Sequence, residues 1–330
     1  MTTLQPILLL YLGSPANSGR EAVGRYLREF LSDPDVMSLP APLRYALVRG
    51  IIIPARKGAS SAKYRRLEEL SGGALPMPRY MHALSLALAE RIGRPVVPVP
   101  RYGLGGEMGL LQLLQQYGVA GARAFTLYPL YPQYTSSTAY SALAHMQGLL
   151  GRLYPKAELR LGAPFYNRPE YIGALRESVL QHPHAAQLLA GGATLVQSFH
   201  SIPVGHRKRD AAHLSIPYRF QCSETARLLA DALGVAQTSR ILAFQSRMGK
   251  GRWEEPYTEE LLPRLAAERG GNFVIITPGF FCDCLETLYD LHDKLRPRML
   301  AAGAQTVEPV PCLNDTPAAV ELLCSLFGHS

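Results

Sequence analysis

Short apolar runs rich in β-branched residues alternate along the chain with longer stretches in which apolar positions recur every three or four residues. This is the rhythm of β-strands joined by amphipathic crossover helices. The pattern predicts strands at about Pro6 to Gly13, Pro95 to Arg101, Ala122 to Tyr128, Ala157 to Gly162, Ala193 to His200, Arg240 to Gln245, Asn272 to Pro278 and Gln305 to Val310. Helical periodicity is expected over Glu21 to Leu31, Met77 to Ile92, Leu104 to Tyr117, Ser136 to Leu150, Ser215 to Leu233, Thr258 to Arg269 and Asp283 to Ala302. Half of the strands fall in each half of the chain. The expected fold class is therefore α/β, with two doubly wound lobes, each a four-stranded parallel sheet flanked by helices, and a hinge near Gly162 to Arg168. Residues 14 to 76 are too long for one crossover and read as a helical lid or lip. In open α/β sheets ligands bind beyond the carboxyl ends of the strands, so residues that follow strands are the first candidates for chemistry.

With 330 residues, 47% of them hydrophobic and 18% charged, the chain can bury a large core, which excludes a disordered or fibrous protein. Its longest apolar runs, such as Ile7 to Leu12, fall short of the ~20 residues that cross a bilayer. The segment Met1-Thr-Thr-Leu-Gln-Pro6 has no basic region ahead of its apolar stretch, so a cytoplasmic location is expected. Five cysteines with no Cys-x-x-Cys pair support neither a disulfide framework nor structural zinc. The net charge of +8 predicts an anionic partner. The basic residues are dispersed, densest at Arg65-Arg66 and Arg207-Lys208-Arg209, and no nucleic-acid-binding motif accompanies them. An acidic small molecule or an anionic membrane surface fits better than nucleic acid.

Four segments carry candidate chemistry. In Gln197-Ser-Phe-His200-Ser-Ile-Pro203 an apolar strand runs into a histidine, suited to proton transfer or metal ligation at a cleft mouth or to a structural role. Gly279-Phe-Phe-Cys-Asp283-Cys-Leu-Glu286-Thr-Leu-Tyr-Asp290 follows another strand, and Asp283, Glu286, Asp290 and Asp293 would share one helical face. Helix capping and a solvated face explain those carboxylates as readily as a cation path does. Tyr128-Pro-Leu-Tyr131-Pro-Gln-Tyr134-Thr-Ser-Ser137-Thr138 offers aromatic rings and hydroxyls ahead of a helix, for anion binding, stacking or capping. The set Arg56-Lys57, Tyr64-Arg65-Arg66 and Arg101-Tyr102 suits carboxylate side groups of a ligand, or the surface.

Taken together, these motifs resemble the ferrochelatase family, whose members insert ferrous iron into protoporphyrin IX. The likeness runs through Leu12-Gly-Ser-Pro15, Arg25-Tyr-Leu-Arg-Glu-Phe-Leu-Ser-Asp-Pro34, Arg101-Tyr-Gly103, Tyr131-Pro-Gln-Tyr134, Ser198-Phe-His-Ser-Ile-Pro203, Phe244-Gln-Ser-Arg247, Pro256-Tyr-Thr-Glu-Glu260 and Asp283-Cys-Leu-Glu-Thr-Leu-Tyr289. The resemblance implies two Rossmann-like lobes: residues 1–163 with a C-terminal helix from 312–330 returning to the first lobe, and residues 164–311 carrying the reactive groups. His200 and Glu286 match the family's proton-accepting or metal-meeting pair, with Asp290 on a proton or metal path. Leu12, Arg56, Tyr64, Arg101, Tyr131, Ser137, Trp253, Phe280 and Asp283 match or neighbour porphyrin-contacting positions. Ferrous iron and protoporphyrin IX are then substrates, and no prosthetic group is expected. Cys312 and Cys324 do not reproduce the cysteine set of members that carry an iron–sulfur cluster, so none is expected. A monomer or a homodimer, with peripheral membrane contact, fits the family.

The chain departs from the family pattern at Tyr11, where most members have asparagine, at Leu70-Ser-Gly-Gly-Ala-Leu-Pro76, after Gly103, and over Val204 to Pro217. The alternative reading is a diverged relative that binds porphyrin or haem without inserting iron, or that has altered metal preference or iron-removing activity. A Rossmann-type nucleotide binder is the least favoured reading, because no Gly-x-Gly-x-x-Gly or Walker A run follows the first strand.

Overall fold

The run Ile7-Leu-Leu-Leu-Tyr11 has no polar alternation, as a strand covered on both faces requires, and it forms β1 (Ile7–Tyr11) inside a parallel sheet. A computed structural model describes residues 5–37, 39–249 and 251–328; the side chains of Lys208 and Arg209, part of the densest basic cluster, lie outside the described set. Two units emerge, each with its own sheet.

In the first unit β1 leads into a helical insertion: α1 (Arg20–Leu31), α2 (Ala41–Leu47), a π-helical turn Val48–Ile52, α3 (Ile53–Leu70) and α4 (Pro76–Ile92). The alternating pattern resumes with β2 (Val96–Pro100), α5 (Gly106–Gln116), β3 (Ala124–Pro129), α6 (Ala139–Leu153) and β4 (Glu158–Leu161). All pairings are parallel in the order β2-β1-β3-β4. The insertion is held by α1 packing on α3, where the buried Ser61 hydroxyl donates to Ser18 O at 2.6 Å. The buried Arg44 guanidinium donates to the Ser32 and Leu39 carbonyls, fastening α2 to the end of α1. Gly13 is required by its surroundings: φ is +95°, and an added Cβ would meet the Tyr102 carbonyl oxygen at 2.1 Å.

The second unit contains α7 (Pro169–Leu180), α8 (Pro183–Ala190), β5 (Thr194–His200), α9 (His206–His213), α10 (Tyr218–Ala232), β6 (Arg240–Gln245), α11 (Thr258–Arg269) and β7 (Asn272–Ile276). A π-helix Leu285–Leu295, α12 (Arg296–Ala301), β8 (Thr306–Pro309) and α13 (Pro317–Gly328) complete it. Its sheet repeats the first in order and direction, β6-β5-β7-β8. Val196, Phe273, Ile275 and Val307 of the sheet pack against Leu262 and Ala266 of α11 and against Leu291, Leu295 and Met299. All of the expected strands are found, with Arg240–Gln245 at the expected ends.

Two expectations about the partition are corrected. The segment Tyr131–Thr135 belongs to the second unit, because Tyr134 N–H donates to Gln221 Oε1 and Gln221 Nε2 donates back to Tyr134 O. The C-terminal helix is also part of the second unit. Its apolar stripe, including Ala319, Leu322 and Leu323, is buried, and α13 packs on α7.

His145 on α6 is half-buried near Arg101 and Asp33. Burial, reinforced by Arg101, lowers its pKa from 6.5 to about 4. As pH falls through that interval, the unfolded chain takes up a proton that the folded unit refuses, so stability drops. The thermal midpoint of a His145→Gln variant is expected to fall less steeply between pH 6.5 and about 4 than that of the parent; parallel declines would contradict this account.

Candidate active site

In both sheets the chain leaves the first strand on one side and comes back on the other, so the order switches between β1 and β3 and again between β5 and β7. At such a switch point the crossover connections diverge and leave a crevice at the carboxyl ends of the strands. His200 is the last residue of β5, and the turn after β7 carries Gly279 and Phe280.

The half-buried His200 presents Nδ1 to the Ser201 carbonyl oxygen at 2.6 Å. A carbonyl only accepts, so Nδ1 donates its N–H here, and in the neutral form of the ring the lone pair sits on Nε2, where it can take a proton or meet a metal. The Tyr218 hydroxyl donates to the His200 carbonyl at 2.8 Å. The Phe280 ring lies 6.1 Å from the imidazole, centroid to centroid. Gln133 donates to Thr225 at 2.9 Å and lies against Gly279, which brings the segment holding the half-buried Tyr131 to the same edge.

Asp283 was expected on a helical face with Glu286 and Asp290. It precedes the helix instead, since Cys284 is the N-cap and caps with Thr287. The Asp283 carboxylate, 4% exposed, accepts from Thr287 Oγ1 at 2.8 Å, from Asn314 Nδ2 at 2.7 Å and from Cys312 N–H at 3.3 Å. The Asp283 N–H donates to Asn314 Oδ1 at 2.8 Å. This residue ties the helix start to the loop after β8.

Glu286 stands in the first turn of the π-helix and is half-buried. Burial pushes the Cys284 thiol well above its ordinary pKa, and the neighbouring Glu286 carboxylate adds to the rise. π-Helical stretches are rare and frequently mark functional sites. Asp290, further along the same helix, is paired with Lys294, whose ammonium lies 5.0 Å from the Tyr289 ring centroid.

Trp253 is half-buried in the loop before α11 and bridges Pro203, just beyond His200. Beside it Glu254, 1% exposed, receives Arg207 through both oxygens at 2.6 and 2.8 Å and Arg219 at 3.0 Å. Burial alone would raise this carboxyl's pKa, but the hydrogen bonds from Arg207 and Arg219 outweigh it and hold the pKa below the ordinary value. The Ser201 hydroxyl donates to the Glu254 carbonyl at 2.7 Å, so the ion cluster anchors the chain that leaves His200.

In the first unit Leu12 follows β1 and Ser137 precedes the N-cap Thr138 of α6. Arg56 is exposed on α3. Two expected ligand contacts are otherwise engaged. Arg101 is paired with Asp33, which also accepts from the Tyr102 hydroxyl at 2.9 Å. The buried Tyr64 ring packs edge-on against Tyr26 at 6.2 Å. Sequence reasoning missed Gln245, Glu254, Tyr218 and Asn314, whose partners are remote in the chain. Among the described residues no three His, Cys, Asp or Glu side chains converge as a resident metal site.

The ferrochelatase family model matches residues 5–330. A ferrochelatase of Azoarcus sp. (strain BH72) is 36% identical over 96% of this chain and 85% of its own length. One of Ectopseudomonas mendocina (strain ymp) is 35% identical over 96% of each chain. Among solved structures, SirB from Bacillus subtilis with Fe3+ aligns with a TM-score of 0.54 at 13% identity, covering 99% of this chain and 95% of that one. At that identity the likeness concerns the fold.

Replacing Asp283 with alanine leaves buried donors on Thr287, Asn314 and Cys312 without their acceptor, at about 1–3 kcal/mol for each group. The Asp283→Ala variant is expected to lose stability by at least that much and to exchange faster at backbone amides near 284–288 and 312–314. A loss below about 0.5 kcal/mol would contradict the assigned role.

Proposed function

The chain belongs to the ferrochelatase family and is a metal chelatase acting on a porphyrin, and from that premise we propose that it inserts ferrous iron into protoporphyrin IX to form haem b. The observation that carries this reading is the 2.6 Å contact of His200 Nδ1 with the Ser201 carbonyl at the end of β5, which turns Nδ1 into a donor and makes Nε2 the basic nitrogen of the neutral ring. Porphyrin resists metallation because its pyrrole N–H groups point into a closed plane. A site that bends the ring exposes the nitrogens, at ~1–5 kcal/mol of strain drawn from binding the rest of the molecule. His200 Nε2 accepts a pyrrole proton, the Glu286 carboxylate balances the charge gained, and Asp290 continues the path outward when its pair with Lys294 opens. Phe280 and Tyr131 supply apolar and aromatic wall, with Trp253 in the adjoining loop. Leu12, Arg56 and Ser137 are also proposed as porphyrin-binding residues, Arg56 toward an acidic side group of the porphyrin. Arg101 and Asp283 act on the scaffold.

Anaerobic mixing with protoporphyrin IX and ferrous iron is expected to give the haem spectrum. His200→Ala and Glu286→Ala should turn over at least about 100-fold more slowly, the size of effect general acid–base groups supply. Both variants should still quench the fluorescence of Trp253, the only tryptophan, on binding porphyrin. Binding without metallation in the parent chain would overturn the reading in favour of a porphyrin carrier.

We also propose peripheral docking on anionic membrane through the insertion. Leu43, Tyr45 and Ile51 are 54%, 45% and 63% exposed there, with the exposed Arg49 stacked 5.4 Å from the Tyr45 ring and Arg56 also exposed. Exposed apolar side chains set among arginines suit an interfacial helix. Among the described residues no helix is long and apolar enough to span the membrane. Co-sedimentation with phosphatidylglycerol vesicles should be salt-sensitive and weakened by Tyr45→Ser with Ile51→Ser; absence of binding at low salt would contradict it.

A further inference from the structure

Gln245 ends β6 in register with His200, which ends β5. Its carbonyl accepts the Ser201 N–H at 2.8 Å, so the residue after His200 is fixed by the Gln245 main chain. The Gln245 side chain, 2% exposed, reaches the other way, and Nε2 donates to the Glu286 carbonyl at 2.8 Å. One residue thus grips the backbone on both sides of the site, beside His200 and at Glu286.

The amide can be oriented in only one way. The Glu286 carbonyl has no proton to give, so nitrogen must face it. Gln245 Oε1 then accepts from the buried Ser198 hydroxyl at 2.6 Å, and Ser198 lies 2.7 Å from Thr258 Oγ1. The chain of bonds runs Thr258, Ser198, Gln245, Glu286, and its Thr258–Ser198–Gln245 part is buried, where a missing partner is costly. Directly after it, Ser246 holds φ at +68°, strained for a residue with a Cβ, and its N–H is tied to Glu259 at 2.9 Å. The backbone thus turns immediately after Gln245 and is pinned there by Glu259.

We propose that Gln245 is a positioning residue that sets the placement of Glu286 relative to His200, an inference that rests on the role given above to that pair. It touches no reacting atom. Its effect is to hold the first π-helical turn at the strand edge, and misplacement on the order of 1 Å at such a site can cost about 100-fold in rate.

The test compares Gln245→Leu, Ser198→Ala and the double variant with the parent chain. Gln245→Leu should lower kcat about 10–100-fold with the porphyrin KM within about twofold of the parent, because binding precedes the step that needs the pair aligned. Ser198→Ala should show a smaller loss. The double variant should be no worse than Gln245→Leu alone, since both act through one chain of bonds. Without substrate, amide exchange over 285–290 should quicken in Gln245→Leu while β5 and β7 keep their protection. An unchanged kcat, additive losses, or faster exchange across the whole unit would each overturn the proposal. If Gln245→Leu fails to fold, Ser198→Ala decides by the same readouts. If the parent chain inserts no iron, the chelatase reading falls, and exchange over 285–290 alone decides whether the tether exists.

Discussion

Because β5 is paired on both sides, with β6 over Leu195–His200 and with β7 over Thr194–Gln197, only one register can place its last residues, and the sheet edge takes its geometry from there. A slip of one residue would turn His200 to the opposite face. Pairing with β7 stops at Gln197 while β5 runs on to His200, which opens the edge just where the chain after β7 turns through Gly279 and Phe280. The partner on the other side, Gln245, closes the arrangement by holding Ser201 and Glu286 together.

The acidic residues divide by what surrounds them. A carboxylate taken out of water must be matched by donors or cations, or the burial cost prevails. Asp33 is matched by Arg101 and Tyr102, Asp283 by Thr287, Asn314 and a backbone N–H, and Glu254 by two arginines. Each is committed to holding segments together. Glu286 is half-buried, and the neighbour that its carboxylate influences is the buried Cys284 thiol, a weak donor. The contrast sets the carboxylate proposed to react apart from the structural ones more sharply than spacing along the sequence does.

Strands were legible because each is a short apolar run bounded by turn residues; Arg240–Gln245 is found at its expected ends. The positions of His200 at the end of β5 and of Glu286 in the first turn of the helix after β7 were legible because both follow strands in recognisable motifs. The π-helix was not, since apolar residues such as Leu288, Leu291 and Leu295 satisfy an α-helical stripe as well as a π-helical one. Nor was the helix start at Cys284, whose N-cap leaves Asp283 outside the face that its spacing from Glu286 predicts. Arg101 and Tyr64 read as ligand contacts because their partners, Asp33 and Tyr26, lie far away in the chain. Gln245 was hidden for the same reason: it bonds to a residue 41 positions away, and nothing in its neighbours announces that.

The account turns on His200 Nε2 as the acceptor of pyrrole protons, and proton release measures that step directly. In a weakly buffered, anaerobic single turnover with a pH indicator, the parent chain should release both pyrrole protons in step with the appearance of the haem spectrum, while His200→Ala binds porphyrin and releases them at least about 100-fold more slowly. Proton release and metallation at the parent rate in His200→Ala would contradict the assignment.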